Sequence, residues 1–527
     1  MNALVALLDP HLAVLPVLLP LATACLLLAL GDAGAAAMRR ARALSLVSAL
    51  LGLGFAWLLT LEAAGGELRI YRLGDWPAPF GIVLVVDRLA ALMLLLTQCV
   101  ALPALLYAGA GWDTRGRHFH ALFHLQLMGL AGAFVTGDVF NLFVFFEVLL
   151  IASYVLLVHG QGRERLRWGV PYVVLNLAAS ALFLIGVALL YAHTGTLNLA
   201  DLMRRVPQVT GAEAAMLQAG ALLLLVVFGF KAALLPLHLW LPGTYAAASA
   251  PVAALFAIMT KVGVYAIVRV HLGVFGDGAG ESSRLAEAWL LPLALASSVL
   301  AVLGAMAAGT LPRLVAWLTV VSVGTALVAV GLFSTEALAA GLYYTVHSTL
   351  VIALLFLLAE LIALQRGAGA GRLQPAGAVS QPALLGLLLL LAAASVAGLP
   401  PLPGFLGKVM ILQATPAAAA PWVWTVVLGV GFLSLLTLSR AGSVLFWAVD
   451  AGQRRSTVTA SGAPLGAVLL LSAALVGMTL AAEPIKRYTD AAAAQLEDRA
   501  GYVRAVFGEA ASTPSTRPYV GDRGAAR

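Results

Sequence analysis

The chain has 527 residues, of which 62% are hydrophobic and 10% charged, with a formal net charge of +7 and a mean hydropathy of +0.98. Apolar runs longer than about 18 residues recur along most of its length, which excludes a soluble globular domain. The runs are continuous rather than short and alternating, which excludes a β-barrel and leaves an all-α polytopic membrane protein.

The first run, "HLAVLPVLLPLATACLLLAL" (11–30), has no basic region before it and reads as a retained first helix rather than a cleaved signal. Cutting at polar and Gly/Pro breaks then gives about fourteen spans in all. Their limits are 12–31, 43–62, 82–108, 119–136, 139–158, 168–192, 213–232, 250–271, 287–309, 314–333, 337–362, 383–412, 421–448 and 463–482. Arginine clusters at 38–43, 113–118, 162–167 and 452–457, with Arg313, Arg366 and Arg372, all fall on one side of this topology. That side should face the cytoplasm, with both termini outside. The segment 198–206 reads as a short helix lying along the outer surface. The polar tail, 483–527, starts with a helical pattern and ends in a Pro/Ser/Gly/Arg stretch expected to be disordered.

The third span opens on Asp87 and Arg88, read as an ion pair at the membrane surface. The fifth carries Glu147, the one acidic residue between Asp138 and Glu164. Alone, such a glutamate could bind a cation or pair with a neighbouring subunit. The seventh carries Lys231 within "LLLLVVFGFKAALLPLHLW" (222–240). Only four of the 31 basic residues are lysine, and Lys231, Lys261 and Lys408 lie inside spans, with Lys486 at a helix end. A GC-rich genome accounts for few lysines but not for where these sit. Arginine keeps its proton at any accessible pH, whereas a desolvated lysine can release it. A charge at the bilayer centre also costs at least ~2.5–3.5 kcal/mol, so three buried lysines point to an ion pathway. Pairing of Glu147 with Lys231 is the economical arrangement, since separating the partners would free the lysine's proton.

Pro236 and Pro242 follow Lys231, and "AGLPPLPGFLGKVMILQA" (397–414) surrounds Lys408 with prolines and glycines. Both patterns predict interrupted helices at membrane depth, a common construction of ion sites. His238, seven residues past Lys231, would share its side of a continued helix and is either a relay group or a satisfied buried histidine. His347 could link Lys261 to Lys408, with Ser348 or Thr349 in support. Glu360 reads as an exit-side or interface group. The likeness of 229–242 to 398–412 suggests two repeated halves. They divide the chain into 1–118, 119–271, 287–448, 449–482 and the tail 483–527. Cys25 and Cys99 lie in apolar segments, which argues against a disulfide, iron–sulfur or zinc centre. No phosphate loop, dinucleotide fingerprint or haem motif is present, so no cofactor and no bound metal are expected, and no basic patch suggests nucleic acid.

Stretches such as "HFHALFHLQLMGLAGAFVTGDVFNLFVFFEVLLIASYVLLVHG" and "YRLGDWPAPFGIVLVVDRLAALMLLL" resemble the antiporter-like membrane subunits shared by respiratory complex I and the multi-subunit Mrp-type Na+/H+ antiporters. The likeness spans nearly the whole chain except the tail and is nearest to the D-type subunits of the Mrp branch. It implies fourteen helices with two inverted five-helix repeats, each holding a discontinuous helix. It further implies that Glu147 and Lys231 form the family's pair, that Lys261 is its central relay lysine, and that Lys408 ends the relay. The function implied is a proton-translocating subunit of a Na+/H+ antiporter, with K+ or Li+ as other cations, working beside other hydrophobic subunits in the bilayer. A proton-pumping membrane subunit of a redox complex, either NADH:quinone oxidoreductase or a membrane hydrogenase, is the alternative.

Overall fold

The computed structural model describes residues 9–450 and 457–508. Of the expectations above, Arg454, Arg455 and the tail beyond Gly508 lie outside those residues. Helices α1 (Leu15–Leu30), α2 (Ala35–Ala64), α3 (Arg88–Ala108), α4 (Phe119–Val135), α5 (Val139–Val158) and α6 (Arg163–Thr194) come first, followed by the short α7 (Leu199–Arg205). Then come α8 (Gly211–Ala232), α9 (Trp240–Ala247), α10 (Ala250–Ile267), α11 (Glu287–Met306), α12 (Leu311–Gly331) and α13 (Thr335–Gln365). The last are α14 (Pro382–Ala397), α15 (Pro403–Gln413), α16 (Ala420–Phe446), α17 (Gly462–Leu480), α18 (Ala482–Glu497) and α19 (Arg499–Phe507). Eleven described helices are long and apolar enough to cross a membrane, and the shorter apolar α1, α4 and α14 complete fourteen.

Helix starts follow from local chemistry. Asp87, Asp138 and Ser334 each accept a backbone N–H three residues on, capping α3, α5 and α13. The span expected over 82–108 differs at its start, because Val83–Val86 is a buried strand paired antiparallel with Arg69–Arg72. Its β-branched run pairs in register before Asp87 can cap a helix.

Both expected interruptions form: the span expected over 213–232 is followed across a break by a short second helix, and the one expected over 383–412 is broken in two. After α8 the backbone turns at Ala233 (φ +60) and resumes as α9 at Trp240. After α14 it turns at Gly398 (φ +84) and resumes as α15 at Pro403. The first break is satisfied by side chains: Trp240 Nε1 donates to the Phe230 carbonyl at 3.2 Å, and the Leu235 N–H donates to Ser297 Oγ at 2.8 Å. Side chains so placed let non-helical backbone exist at membrane depth. The core runs through α10, α12 and α13; α10 continues into a π-helical turn, Val268–Val274, and is buried throughout.

Fourteen crossings bring both ends of the bundle to one side. There, α18 and α19 lie over the hairpin and neighbouring helix ends, with Gln495 Oε1 accepting from the Arg88 N–H at 2.9 Å and Arg72 donating to the Val506 carbonyl at 3.2 Å. The short helix expected at 198–206 forms as α7 but is not laid out on the surface. It is largely buried, with Arg499 on its Met203 carbonyl at 3.0 Å and Arg204 over the Phe507 ring at 5.0 Å. Asp87 also departs from expectation: it is 3% exposed and bidentate to Arg269 of the π-helical turn rather than paired with Arg88. An aspartate that must also cap α3 points inward, where an arginine can meet both its oxygens.

Candidate functional site

Glu147 sits within α5, and Lys231 is the second-last residue of α8, beside the first helix break. Among the described residues they make no direct ion pair within 4.0 Å, although each lies in electrostatic reach of the other. Two residues of α6 stand between them. Ser180 donates to Glu147 Oε1, and Lys231 Nζ donates to Asn176 Oδ1 at 3.0 Å. The rings of Phe146 and Phe230 face the ammonium at 5.8 and 5.9 Å, which offers a cation–π surface in place of water.

Lys261, fully buried in α10, donates to Ser322 Oγ of α12 at 2.9 Å, and Ser322 in turn donates to the Thr319 carbonyl at 2.7 Å. Two residues on, Gly263 presses against α8: a Cβ there would stand 2.5 Å from the Ala232 nitrogen, next to Lys231. His347 of α13 is 1% exposed, shares a 2.9 Å hydrogen bond between its Nε2 and Ser395 Oγ of α14, and feels the charges of both Lys261 and Lys408. Lys408 of α15 donates to the Val396 and Ala397 carbonyls at 2.9 and 2.8 Å. Those carbonyls end the half-helix α14, so the ammonium sits at the negative end of a helix dipole.

The ionisable groups therefore follow one another in a file from a half-buried Glu147 on α5 through buried Lys231, Lys261 and His347 on α8, α10 and α13 to buried Lys408 on α15. Each member has a neutral hydrogen-bond partner: Ser180 for Glu147, Asn176 for Lys231, Ser322 for Lys261, Ser395 for His347 and backbone carbonyls for Lys408. Side chains of this kind pass protons only if a lysine or histidine can switch between charged and neutral forms, and every basic member of the file is one or the other.

The family described as "NADH:quinone oxidoreductase/Mrp antiporter, TM" matches residues 136–437, which hold every member of that file. A D-type component of a probable K(+)/H(+) antiporter, from Rhizobium meliloti (strain 1021), is 42% identical over 524 residues, covering 92% of this chain and 95% of the relative. The chain belongs to the NADH:quinone oxidoreductase/Mrp antiporter family. The corresponding D-type component of the Na(+)/H(+) antiporter of Bacillus subtilis (strain 168) is 34% identical, covering 94% of this chain and 99% of the relative. Among solved structures, the Mrp complex from Dietzia sp. DQ12-45-1b contains a chain that superposes with a TM-score of 0.82 at 28% identity, covering 95% of this chain and all of that one. Respiratory complex I from Thermus thermophilus superposes at 0.76 and 26% identity, covering 92% of this chain and 99% of that one. The resemblance read from the sequence is thus shown, together with the family's fourteen-helix, twice-interrupted architecture.

Within this family fold, Glu147, Lys231, Lys261, His347 and Lys408 occupy the file. His238 does not continue it by helical spacing, because the break at 233–239 ends the helix that would have aligned it with Lys231. Its buried ring faces Trp317 of α12 at 5.7 Å, and its Nδ1 has no hydrogen-bond partner among the described residues. Ser348 and Thr349 do not support His347; both hydroxyls donate to the Thr345 carbonyl of their own helix, and Ser395 takes the histidine. Glu360 accepts from Trp112 Nε1 at 2.8 and 2.9 Å, near the arginine-rich side. Asn176, Ser180, Ser322 and Arg269 carry no such mark in the sequence. The one available signal is two polar residues a helical turn apart in the apolar run "NLAAS".

Proposed function

We propose that this chain is the proton-translocating subunit of a multi-subunit monovalent cation/proton antiporter in a bacterial plasma membrane. It is a secondary transporter subunit rather than an enzyme. Protons pass through Glu147, Lys231, Lys261, His347 and Lys408. The halves divide as 119–271 and 287–448, and both termini face away from the cytoplasm. The observation that carries this reading is the series of buried, switchable groups from Lys231 at the first helix break to Lys408 at the second, with the half-buried Glu147 at its head. Each lysine has a neutral or carbonyl acceptor, so it can hold a proton without being trapped by a fixed counter-charge.

Movement of the Glu147 proton alters the field at Lys231, and each later member responds to the charge of the one before it. The net transfer is returned by a cation moving inside the assembled complex. Na+ and K+ are the candidates, being the ions in the names of the relatives. Fold alone does not separate this from a redox-driven pump, since a chain of the membrane-bound sulfane sulfur reductase superposes with a TM-score of 0.83 at 26% identity. Sequence favours the antiporter, because the relatives at 42% and 36% identity are antiporter subunits.

The test uses everted vesicles holding the chain with the proteins encoded beside it, energised by an unrelated respiratory pump. A pH-sensitive dye is followed after a Na+ or a K+ pulse. Cation-dependent recovery that disappears with Lys231→Ala, in a complex still assembled, is the expected result. Recovery that persists in Lys231→Ala overturns the proton route, and no recovery for either cation in the native complex overturns the antiporter reading.

A further inference from the structure

The separation of Glu147 from Lys231 is built by α6. Asn176 and Ser180 lie one turn apart on the same helix face and are 1% and 7% exposed. Asn176 Nδ2 donates to the Tyr172 carbonyl at 2.8 Å, one turn back, which fixes the amide and turns Oδ1 toward Lys231. The opposite amide orientation would set an NH2 group against the ammonium and an oxygen against a carbonyl, so the hydrogen bonds themselves decide the assignment. Ser180 is anchored by its own place on α6 and gives its hydroxyl proton to Glu147. One residue therefore offers only an acceptor to the ammonium, and the other offers a donor to the carboxylate. Both favour the charged form of their partner without adding a charge.

Other groups face the pair as well. Phe146 packs from α5, Phe230 from α8, and Tyr172 and Trp240 stack beside Asn176's turn of α6. The titratable neighbours are Tyr154 of α5, which feels the Glu147 charge, and Tyr172 itself, which shares a 2.9 Å hydrogen bond with Ser153. No second cation or carboxylate of the described residues is hydrogen-bonded to Asn176 or Ser180.

We propose that Asn176 and Ser180 are positioning residues that hold Glu147 and Lys231 as a separated pair, and that Asn176 sets the proton concentration at which Lys231 gives up its proton. A direct contact would lock the lysine in its charged form; an apolar neighbour would leave it unable to stay charged. The amide sits between these extremes. This inference rests on the proposed role of the Glu147–Lys231 pair.

The experiment measures the pH profile of cation-dependent dye recovery for the full complex carrying Asn176→Leu, Asn176→Asp, Asn176→Ser or Ser180→Ala. Assembly is followed on native gels, with Lys231→Ala in parallel. Loss of the acceptor in Asn176→Leu moves half-maximal activity to lower pH by about one unit, and the new carboxylate in Asn176→Asp moves it to higher pH by at least as much. Asn176→Ser, too short to reach the ammonium, shifts in the same direction as leucine and serves if the leucine variant does not assemble. Ser180→Ala weakens the hold on Glu147 and shifts the profile less than Asn176→Leu. Lower maxima with unmoved profiles in both Asn176→Asp and the acceptor-deleting variant would overturn this inference while leaving the relay standing. Activity retained in Lys231→Ala would remove the relay reading itself, which is a different result.

Discussion

Asp113, on the arginine-rich side, accepts from Arg42 at 2.6 and 2.8 Å and lies 3.1 Å from His120 Nε2. Burial alone would push this carboxyl up, but the hydrogen bonds from His120 and Arg42 and their charges outweigh it and hold it at about 2. A carboxyl depressed in the folded state stabilises it above the unfolded value, near pH 4, and loses that contribution as pH falls through 2. Asp113→Asn should therefore lower stability by about 1–3 kcal/mol at pH 7, and the difference from the native chain should shrink between pH 4 and pH 2. Thermal unfolding in detergent across that range checks it; an equal deficit at every pH would mean packing rather than charge. At this scale the sequence is readable where chemistry is intrinsic to the side chain. Lysines inside apolar runs declare themselves by cost. Asn176, Ser180 and Ser322 do not, because a neutral polar residue takes its role from its partner, and the partners are 33–61 residues away. Asp87 departs from its expected pairing for a related reason: its neighbour in sequence is an arginine, but its neighbour in space is Arg269.

The elements explain why the file is close enough to work. Gly263 lets α10 approach α8 until a Cβ would stand 2.5 Å from the Ala232 nitrogen and 2.8 Å from the Phe228 carbonyl. Both atoms are backbone and cannot swing aside, so Gly263→Ala must move one helix. Overpacking of this sort costs about 1–3 kcal/mol, and it widens the step from Lys231 to Lys261. Proton transfer is steeply sensitive to the separation of the groups that exchange the proton, so antiport should fall by about ten- to a hundredfold in complexes that still assemble. Gly54→Ala is the control, since nothing among the described residues lies within 4 Å of the added Cβ; it should leave vesicle dye recovery unchanged. Equal losses for the two variants would refute the role given to the α8–α10 contact. Prolines make both interruptions legible in advance, because a missing N–H and a ring clash end a helix whatever surrounds it. The π-helical turn at Val268–Val274 and the strand at Val83–Val86 are not legible. A run of β-branched residues fits helix or strand in lipid, and only the pairing with Arg69–Arg72 decides it.

At the scale of the whole molecule, two five-helix units enter the membrane from opposite sides: α4 starts on the arginine-rich side and α11 on the hairpin side. Each has its broken helix fourth in order, so the same construction appears twice, inverted. The central helices of this arrangement expose backbone ends and the Asp87–Arg269 pair on the hairpin side, and α18 and α19 cover them. Thr489, Ala492, Ala493 and Leu496 form one buried stripe on α18, at spacings that keep them on a single face. Tyr488 donates to the Arg88 carbonyl at 3.0 Å, Gln495 to the Gly66 carbonyl at 3.0 Å, and Arg499 to the Asp277 carbonyl at 2.6 Å. Tyr502 and Val506 of α19 are buried in the same cover. A chain ended after Ala481 keeps all fourteen spans but leaves this surface bare. It loses roughly 1.5–3 kcal/mol for each buried side chain as large as Leu496 or Val506, so its melting point in detergent should drop clearly. Lys486→Ala removes only an exposed ion pair with Asp490, at 2.7 Å on the outer face of α18, and should melt with the native chain because such pairs contribute little. Heating followed by size-exclusion chromatography separates the two cases. A truncated chain as heat-resistant as the native one would show that the membrane bundle is self-sufficient and that the amphipathic cover serves contacts with other subunits instead.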